Sequence, residues 1–396
     1  MLFSGALMQP VAEIAERLSA PVPLEIDQVE VRLVRLPLIE PFETSFGRID
    51  SRLIFLVRIS AAGLDGWGEV VASEEPRYSY ETTGTALHVI GRFLAPAAFA
   101  RPVKSLEDLA ERFSAFRGHN MAKAGLELAF VDLLAQAKQQ RLWQLLGGAQ
   151  RRIPVGVSLG IQPVINALMS RVERHLALGY QRIKLKIKPG WDIDTVAAVR
   201  HAHPDISLSV DANAAYTFAD ADHLRRLDDF GLLMIEQPLE NDDLIDHAKL
   251  QVQFKTPLCL DESIVGVRSA KSALNLQSCR IVNIKVGRVG GYSQALAIHD
   301  LCLSAGIPVW CGGMLESGIG RVHNIALASL PGFTLPGDIS ASSRYFARDL
   351  IHPEVTVDES GTIEVPESVG RGFEIDTELI DSLTDSVKVF KRRDCQ

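Results

Sequence analysis

Hydrophobic positions in the first third of the chain recur with a period of two. Val29-Glu-Val-Arg-Leu-Val-Arg-Leu36 alternates, and Leu53-Ile-Phe-Leu-Val-Arg-Ile59 is a continuous apolar run, so both predict strands. Gly63 to Gly68 predicts a turn before a third strand at Glu69 to Ala72. A helical pattern then runs from Lys123 to Leu146 and stops at Gly147-Gly148. Strands followed by helices, with no βαβ alternation, predict a small α+β domain over residues 25–150. From Ile153 the pattern changes. Eight strand-like runs begin near Val155, Ile183, Ile206, Leu232, Pro257, Arg280, Pro308 and Phe333. Helix-like stretches fill the gaps, among them Val164 to Leu178, Thr195 to His201, Arg268 to Leu276 and Ser293 to Ala305. Eight strands close a parallel barrel, so residues 151–342 are expected to form a TIM-type barrel. Residues 343–396, polar and dotted with Pro and Gly, are expected to pack back on the first domain. Residues 1–24 read as an extension in which Pro10 to Leu18 is either a short surface helix or disordered.

Composition narrows the class. With 396 residues there is room for a barrel and a second domain, and 47% hydrophobic with 23% charged residues is ordinary for a soluble enzyme. A net charge of −8 leaves no basic footprint for nucleic acid. Residues Met1 to Ala20 lack a basic leader pattern, and no run reaches the ~18 apolar residues of a membrane helix. Five cysteines without a C-x-x-C pair point to reduced thiols rather than disulfides or zinc. The expectation is a cytoplasmic enzyme, with neither nucleic acid nor membrane as a partner.

The candidate chemistry lies in a series of charges. Lys186, Asp211, Glu236, Asp261 and Lys285 are separated by 25, 25, 25 and 24 residues, and each closes a short apolar run. That interval is what a strand, a helix and two short loops consume, so the series marks one position on successive βα units, the C-terminal rim of the barrel. Lys184 and Lys186 share a strand face. With Ile183, Leu185 and Ile187 turned to the helix-covered outside, the lysines belong inside, where each should push the other's pKa from about 10.4 towards ~7–8. Three acids in register repel unless a cation lies between them, and all-oxygen ligation suits Mg2+ or Mn2+. An ion network with the lysines is the plainer alternative. Asn213 shares the face of Asp211, whereas Glu262 is expected on the opposite face from Asp261. Lys285 lies across the ring from Lys186. Arg288 either depresses the pKa of Lys285 or binds a substrate anion, or else is a surface loop residue. After the seventh strand, Gly312 and Gly313 open a loop whose amides can approach an anion, with Glu316 beside them. No His closes a strand and no G-x-S-x-G occurs, which removes the serine hydrolase reading.

These residues carry a resemblance. Lys186-Ile-Lys-Pro-Gly-Trp-Asp192, Ile235-Glu-Gln-Pro-Leu239, Leu260-Asp-Glu-Ser263, Asn283-Ile-Lys-Val-Gly-Arg-Val-Gly-Gly291 and Leu335-Pro-Gly-Asp-Ile-Ser-Ala-Ser342 are similar to the o-succinylbenzoate synthase/N-acylamino acid racemase family. That family lies in the muconate-lactonizing subgroup of the enolase superfamily, and the likeness spans roughly Glu25 to Phe373. Lys188 and Val286 depart from it. The resemblance implies a (β/α)7β barrel under an N-terminal α+β cap, with Mg2+ held by Asp211, Glu236 and Asp261. It implies that Lys186 and Lys285 exchange the α-proton of a small carboxylate substrate, with Lys184 beside them, in a dehydration, a racemisation or both. Ile39 to Phe46 and Ser73 to Tyr80 would be loops closing over the barrel, with Phe42, Phe46 and Tyr78 excluding water. A homo-oligomer is expected. A mandelate-type enzyme would need a His-Asp pair, and a dipeptide epimerase a D-x-D that Asp338-Ile-Ser340 does not supply. Muconate cycloisomerase shares all five core residues and stays open. A Schiff-base lysine is the reading from a different mechanistic class.

Overall fold

The computed structural model describes residues 15–394. Most of the segment read as helix or disorder therefore lies outside the described residues. The first half contains strands β1 (Ser19–Leu24), β2 (Ile26–Thr44), β3 (Gly47–Ala61), β4 (Leu64–Val70) and β5 (Val103–Ser105). β2, β3 and β4 form an antiparallel meander, and β1 pairs with β5. The expected turn at Gly63 to Gly68 is shorter than its glycines suggest. Only Ala62 and Gly63 turn with positive φ, and β4 already begins at Leu64. Gly66 and Gly68 are interior to the strand because the helix Asn120–Ala137 lies flush on it. A Cβ on Gly66 would sit 1.9 Å from the Ala129 carbonyl oxygen, and one on Gly68 2.3 Å from that of Gly125.

The helix expected from Lys123 to Leu146 is two helices, Asn120–Ala137 and Leu142–Leu146. The break has a tertiary cause. The Leu142 amide donates to Gly370 O at 2.8 Å and the Gly370 amide donates to Gln140 O at 2.8 Å, so the C-terminal segment captures the chain between the helices.

The second half is a parallel sheet of β7 (Gly156–Leu159), β8 (Arg182–Lys186), β9 (Ser207–Asp211), β10 (Ile235–Glu236), β11 (Leu258–Leu260), β12 (Ile281–Ile284) and β13 (Val309–Cys311), preceded by the short β6 (Arg152–Pro154). Helices such as Ile165–Ala177, Val267–Leu276 and Tyr292–Ser304 separate the strands. The eighth run, near Phe333, is not a ladder. Phe333 bridges Val309 and Gly337 bridges Val155, and these single contacts close the ring. Pro336 has no N–H to give, which limits pairing there. Met234, Cys259, Ile281 and Trp310 fill the barrel interior, while Ile183, Leu185 and Ile187 join the core outside it.

The remaining strands are β14 (Ile351–His352), β15 (Thr362–Glu364), β16 (Glu374–Ile375) and β17 (Thr384–Lys391). β17 adds to the free edge of β2, whereas β15 pairs with β6 under the barrel, so this segment ties the two halves together. No described helix is long and apolar enough to cross a membrane.

Candidate active site

Parallel register sets the chemistry side by side. Lys186 lies beside Asp211, and Asp211 beside Glu236, at the ends of β8, β9 and β10. Asp261 and Lys285 follow directly on β11 and β12. Asp211, Glu236 and Asp261 are all buried, and each is engaged by a base. Lys186 Nζ donates to Asp211 Oδ2 at 2.5 Å and to Asn213 Oδ1 at 2.7 Å. Lys184 Nζ lies 2.7 Å from Glu236 Oε2, 2.6 Å from Asp338 Oδ2 and 3.4 Å from Asp211 Oδ2. Lys285 Nζ donates to Asp261 Oδ2 at 2.8 Å and to Tyr78 OH at 3.1 Å, and the Tyr78 hydroxyl in turn donates to Asp261 Oδ1 at 3.0 Å. Arg288 pairs with Asp261 and donates to Ile264 O at 2.8 Å and to Asn283 O at 2.6 Å. It is a buried structural partner of the rim, not a surface loop arginine.

The expectation that the paired lysines lower one another's pKa is reversed for Lys184. Burial opposes its charge, but Asp338, Glu236 and Asp211 outweigh burial and hold the ammonium above its ordinary pKa. Lys285 is also raised: burial opposes the charge, and Tyr78, Glu262 and Glu236 overcome it. Burial disfavours the Asp211 carboxylate too, yet Lys186 and Lys184 bring it down to about 2. Burial and the charge of Asp211 raise Glu236.

Three carboxylates with no thiolate or imidazole form a donor set that fits a hard divalent cation. As the side chains stand, each acid is turned to a base, and among the described residues no three ligating groups converge on one point.

Lys184, Lys186, Lys285, Asn213, Gly313, Phe42, Phe46 and Tyr78 share the walls of one cavity of about 360 Å³ between the barrel mouth and the cap. Lys186 and Lys285 enter it from β8 and the end of β12, with three strands between them, which is half the ring. The segment Ile39 to Phe46 is not a loop. Up to Thr44 it belongs to β2, and the hairpin reaches the rim, where the Ile161 amide donates to Glu43 O at 2.9 Å and Ser45 Oγ to Asn213 O at 3.2 Å. Phe46 and Tyr78 sit with ring centroids 6.5 Å apart at its tip.

Two expected anion contacts face elsewhere. A Cβ on Gly312 would lie 2.3 Å from Asn283 Oδ1, so the glycine makes room for the amide that donates to Glu236 at 2.7 Å. Glu316 accepts from the Met314 amide at 2.8 Å in its own loop and from Asn324 Nδ2 at 2.9 Å on the following helix Gly318–Ala328.

Three buried charged residues of the barrel escaped the sequence reading. Glu262 lies past the end of β11, where strand alternation no longer applies, and accepts from Asn213 Nδ2 at 2.8 Å. Burial and Asp211 push it up to about 7. Arg182 continues the alternation of Lys184 and Lys186 down β8, a signal present in the sequence; it pairs with Asp338 and stacks 4.8 Å over Trp310. Asp338 holds both Arg182 and Lys184 from the segment that closes the ring.

The chain is similar to known proteins over most of its length. Residues 27–147 match the mandelate racemase/muconate lactonizing enzyme N-terminal domain, and residues 167–379 match the enolase C-terminal domain-like family. An o-succinylbenzoate synthase from Geobacillus stearothermophilus is 52% identical, with 93% of this chain and 98% of that protein covered. An N-succinylamino acid racemase from Thermus thermophilus is 47% identical, with 91% of this chain and 98% of that protein covered. A crystal structure of an enolase superfamily member from Listeria innocua superposes with a TM-score of 0.90 at 40% identity, covering 93% of this chain and 100% of the other.

Proposed function

The chain belongs to the mandelate racemase/muconate lactonizing enzyme family of the enolase superfamily, and from that premise we propose that it removes the proton α to a carboxylate, as an o-succinylbenzoate synthase, an N-succinylamino acid racemase, or both. One observation carries the reading: Lys186 and Lys285 reach a single cavity from opposite sides of the ring, each against a buried carboxylate. Asp211, Glu236 and Asp261 would hold a divalent cation, Mg2+ or Mn2+, whose charge when bound would offset the negative charge that the substrate carboxylate gains as the proton leaves.

An ammonium has no lone pair to accept a proton, so the lysine that acts as base must first be neutral, a state that pairing with a carboxylate opposes. In a racemisation, one lysine takes the α-proton and the other returns one on the opposite face. In a dehydration, Lys186 takes the α-proton and the ammonium so formed gives a proton to the departing β-hydroxyl, which leaves as water, while the Lys285 ammonium faces the anion. Tyr78 bonds both Lys285 and Asp261 and so fixes the ammonium's direction. Phe42 and Phe46 keep water from the anion.

The test is an assay of the dehydration substrate of o-succinylbenzoate synthesis and of N-succinylamino acids, each with and without a chelator. At least one reaction should run, stop on chelation and resume with Mg2+. Turnover that survives chelation would remove the metal from the reading, and absence of both reactions would remove the reading itself.

A further inference from the structure

Four arginines are buried among the described residues: Arg52, Arg182, Arg288 and Arg321. Arg182 is paired with Asp338, Arg288 with Asp261 and Arg321 with Asp349. Arg52 is different. Its Nη2 donates to Val71 O at 2.6 Å and its Nη1 to Ser73 Oγ at 3.2 Å, both neutral acceptors, and Nε is buried without a partner. No described carboxylate forms an ion pair with it. Glu69, Glu316 and Glu74 act on it through longer-range charge alone, while burial pulls its pKa down. Each of those acids is engaged elsewhere: Glu69 by Ser317 and Gly320, Glu316 by Asn324, and Glu74 by Arg35 at 3.1 Å.

A guanidinium held out of water with no counter-charge is costly, and such groups persist where something else supplies the anion. Arg52 and Ser73 both line the cavity, on the cap side, facing the barrel wall that carries the lysines. The Arg fork matches a carboxylate in geometry as well as charge, and the Ser73 hydroxyl adds a donor beside it. The reacting carboxylate is accounted for at the barrel rim, so this end needs a second one.

We propose that Arg52, assisted by Ser73, binds the distal carboxylate of a substrate whose tail is a succinyl group. The proposal rests on the function above and deepens it. o-Succinylbenzoate and the N-succinylamino acids differ at the reacting carbon but share a succinyl tail ending in a carboxylate. A cavity that grips the tail from the cap and leaves the chemistry to the barrel can accept both.

The experiment compares N-succinylphenylalanine with N-acetylphenylalanine, which lacks the second carboxylate, in the unmodified protein and in the Arg52→Met and Ser73→Ala variants. Arg52→Met should raise KM for the succinyl substrate about ten- to a hundredfold, the range of a lost hydrogen bond to a charged group, and leave the acetyl substrate within about twofold. Ser73→Ala should act in the same direction more weakly, and Arg52→Lys should recover part of the loss. Equal effects on both substrates, or none, would overturn the assignment. Should Arg52→Met fail to fold, the unmodified protein decides: the succinyl substrate should have a lower KM than its terminal amide by a similar factor, and equal values would overturn the proposal. If neither substrate turns over, the function above has failed, and calorimetric binding of N-succinylphenylalanine against its terminal amide tests Arg52 alone. Tighter binding of the acid supports the subsite, and equal binding rejects it.

Discussion

The two walls of the cavity are built on opposite principles. On the barrel wall every charge has a partner: Lys186 with Asp211, Lys184 with Glu236 and Asp338, Lys285 with Asp261, and Arg182 with Asp338. On the cap wall Phe42, Phe46 and Tyr78 supply apolar surface, and the buried Arg52 has no carboxylate. The difference follows from solvent. Strands sheathed by helices cannot hydrate a charge, so each must be compensated within the protein. At the mouth of the cap, charges such as Arg77, 58% exposed, are hydrated, whereas Arg52 is buried and its counter-charge is left to a ligand. The barrel wall is thus compensated in charge throughout, whereas the cap wall carries a buried cation without a carboxylate.

The strongest way to break this comparison is to remove one lysine at a time. Lys285→Ala and Lys186→Ala should each lower racemisation by at least ~10²–10⁴-fold, because the proton's way in or out is lost. Each variant should still exchange the α-proton of one enantiomer in D₂O without inverting it, and the two should prefer opposite enantiomers. NMR of each enantiomer run separately reads this directly. Exchange of both enantiomers by either variant would mean that the lysines do not flank the substrate.

A smaller effect sharpens the contrast in stability. Arg182→Met takes one of two cations from Asp338, Lys184 remaining at 2.6 Å, and should cost about 1.5–3 kcal/mol of unfolding free energy. On the cap wall, Arg77→Met removes an arginine whose side chain is 58% exposed and paired with Glu75, and should change stability by less than about 1 kcal/mol. Urea unfolding of both variants checks the pair, and similar losses would show that the two walls do not differ in the way described.

The seam between the walls should respond to pH. Glu69 reaches from the cap to the start of helix Gly318–Ala328, where Ser317 Oγ donates to it at 2.6 Å and the Gly320 amide at 3.2 Å. Burial nonetheless pushes its pKa up to about 8. The unfolded value is ~4.3, so between these values the folded protein binds more protons and stability falls as pH rises. Glu69→Gln cannot titrate. Relative to the unmodified protein it should gain stability on going from pH 5 to pH 9, on the order of 4 kcal/mol. A constant difference in urea midpoint across that range would show that Glu69 keeps an ordinary pKa.

Much of the barrel wall was legible in the chain. The spacing of Lys186, Asp211, Glu236, Asp261 and Lys285 located the rim, and the alternation of Ile183, Leu185 and Ile187 with the lysines told inside from outside. Both signals are local: a strand's two faces and the length of a βα unit are properties of neighbouring residues. The same logic misjudged Glu262, because alternation ends with the strand. It also misread Gly66 and Gly68, whose reason for being glycine is a helix some sixty residues away.

The sequence by itself therefore determined the repeating units, the inward faces of their strands and the set of charged groups at the rim. Tertiary structure alone decided which charges meet: Asp338, closing the ring, turns Lys184 from a candidate of lowered pKa into a firmly charged one. It also decided that Arg52, unlike the other buried arginines, meets no carboxylate. The physical reason is that periodicity is written between near neighbours, while the energy of a buried charge depends on whatever the fold brings within a few ångströms of it.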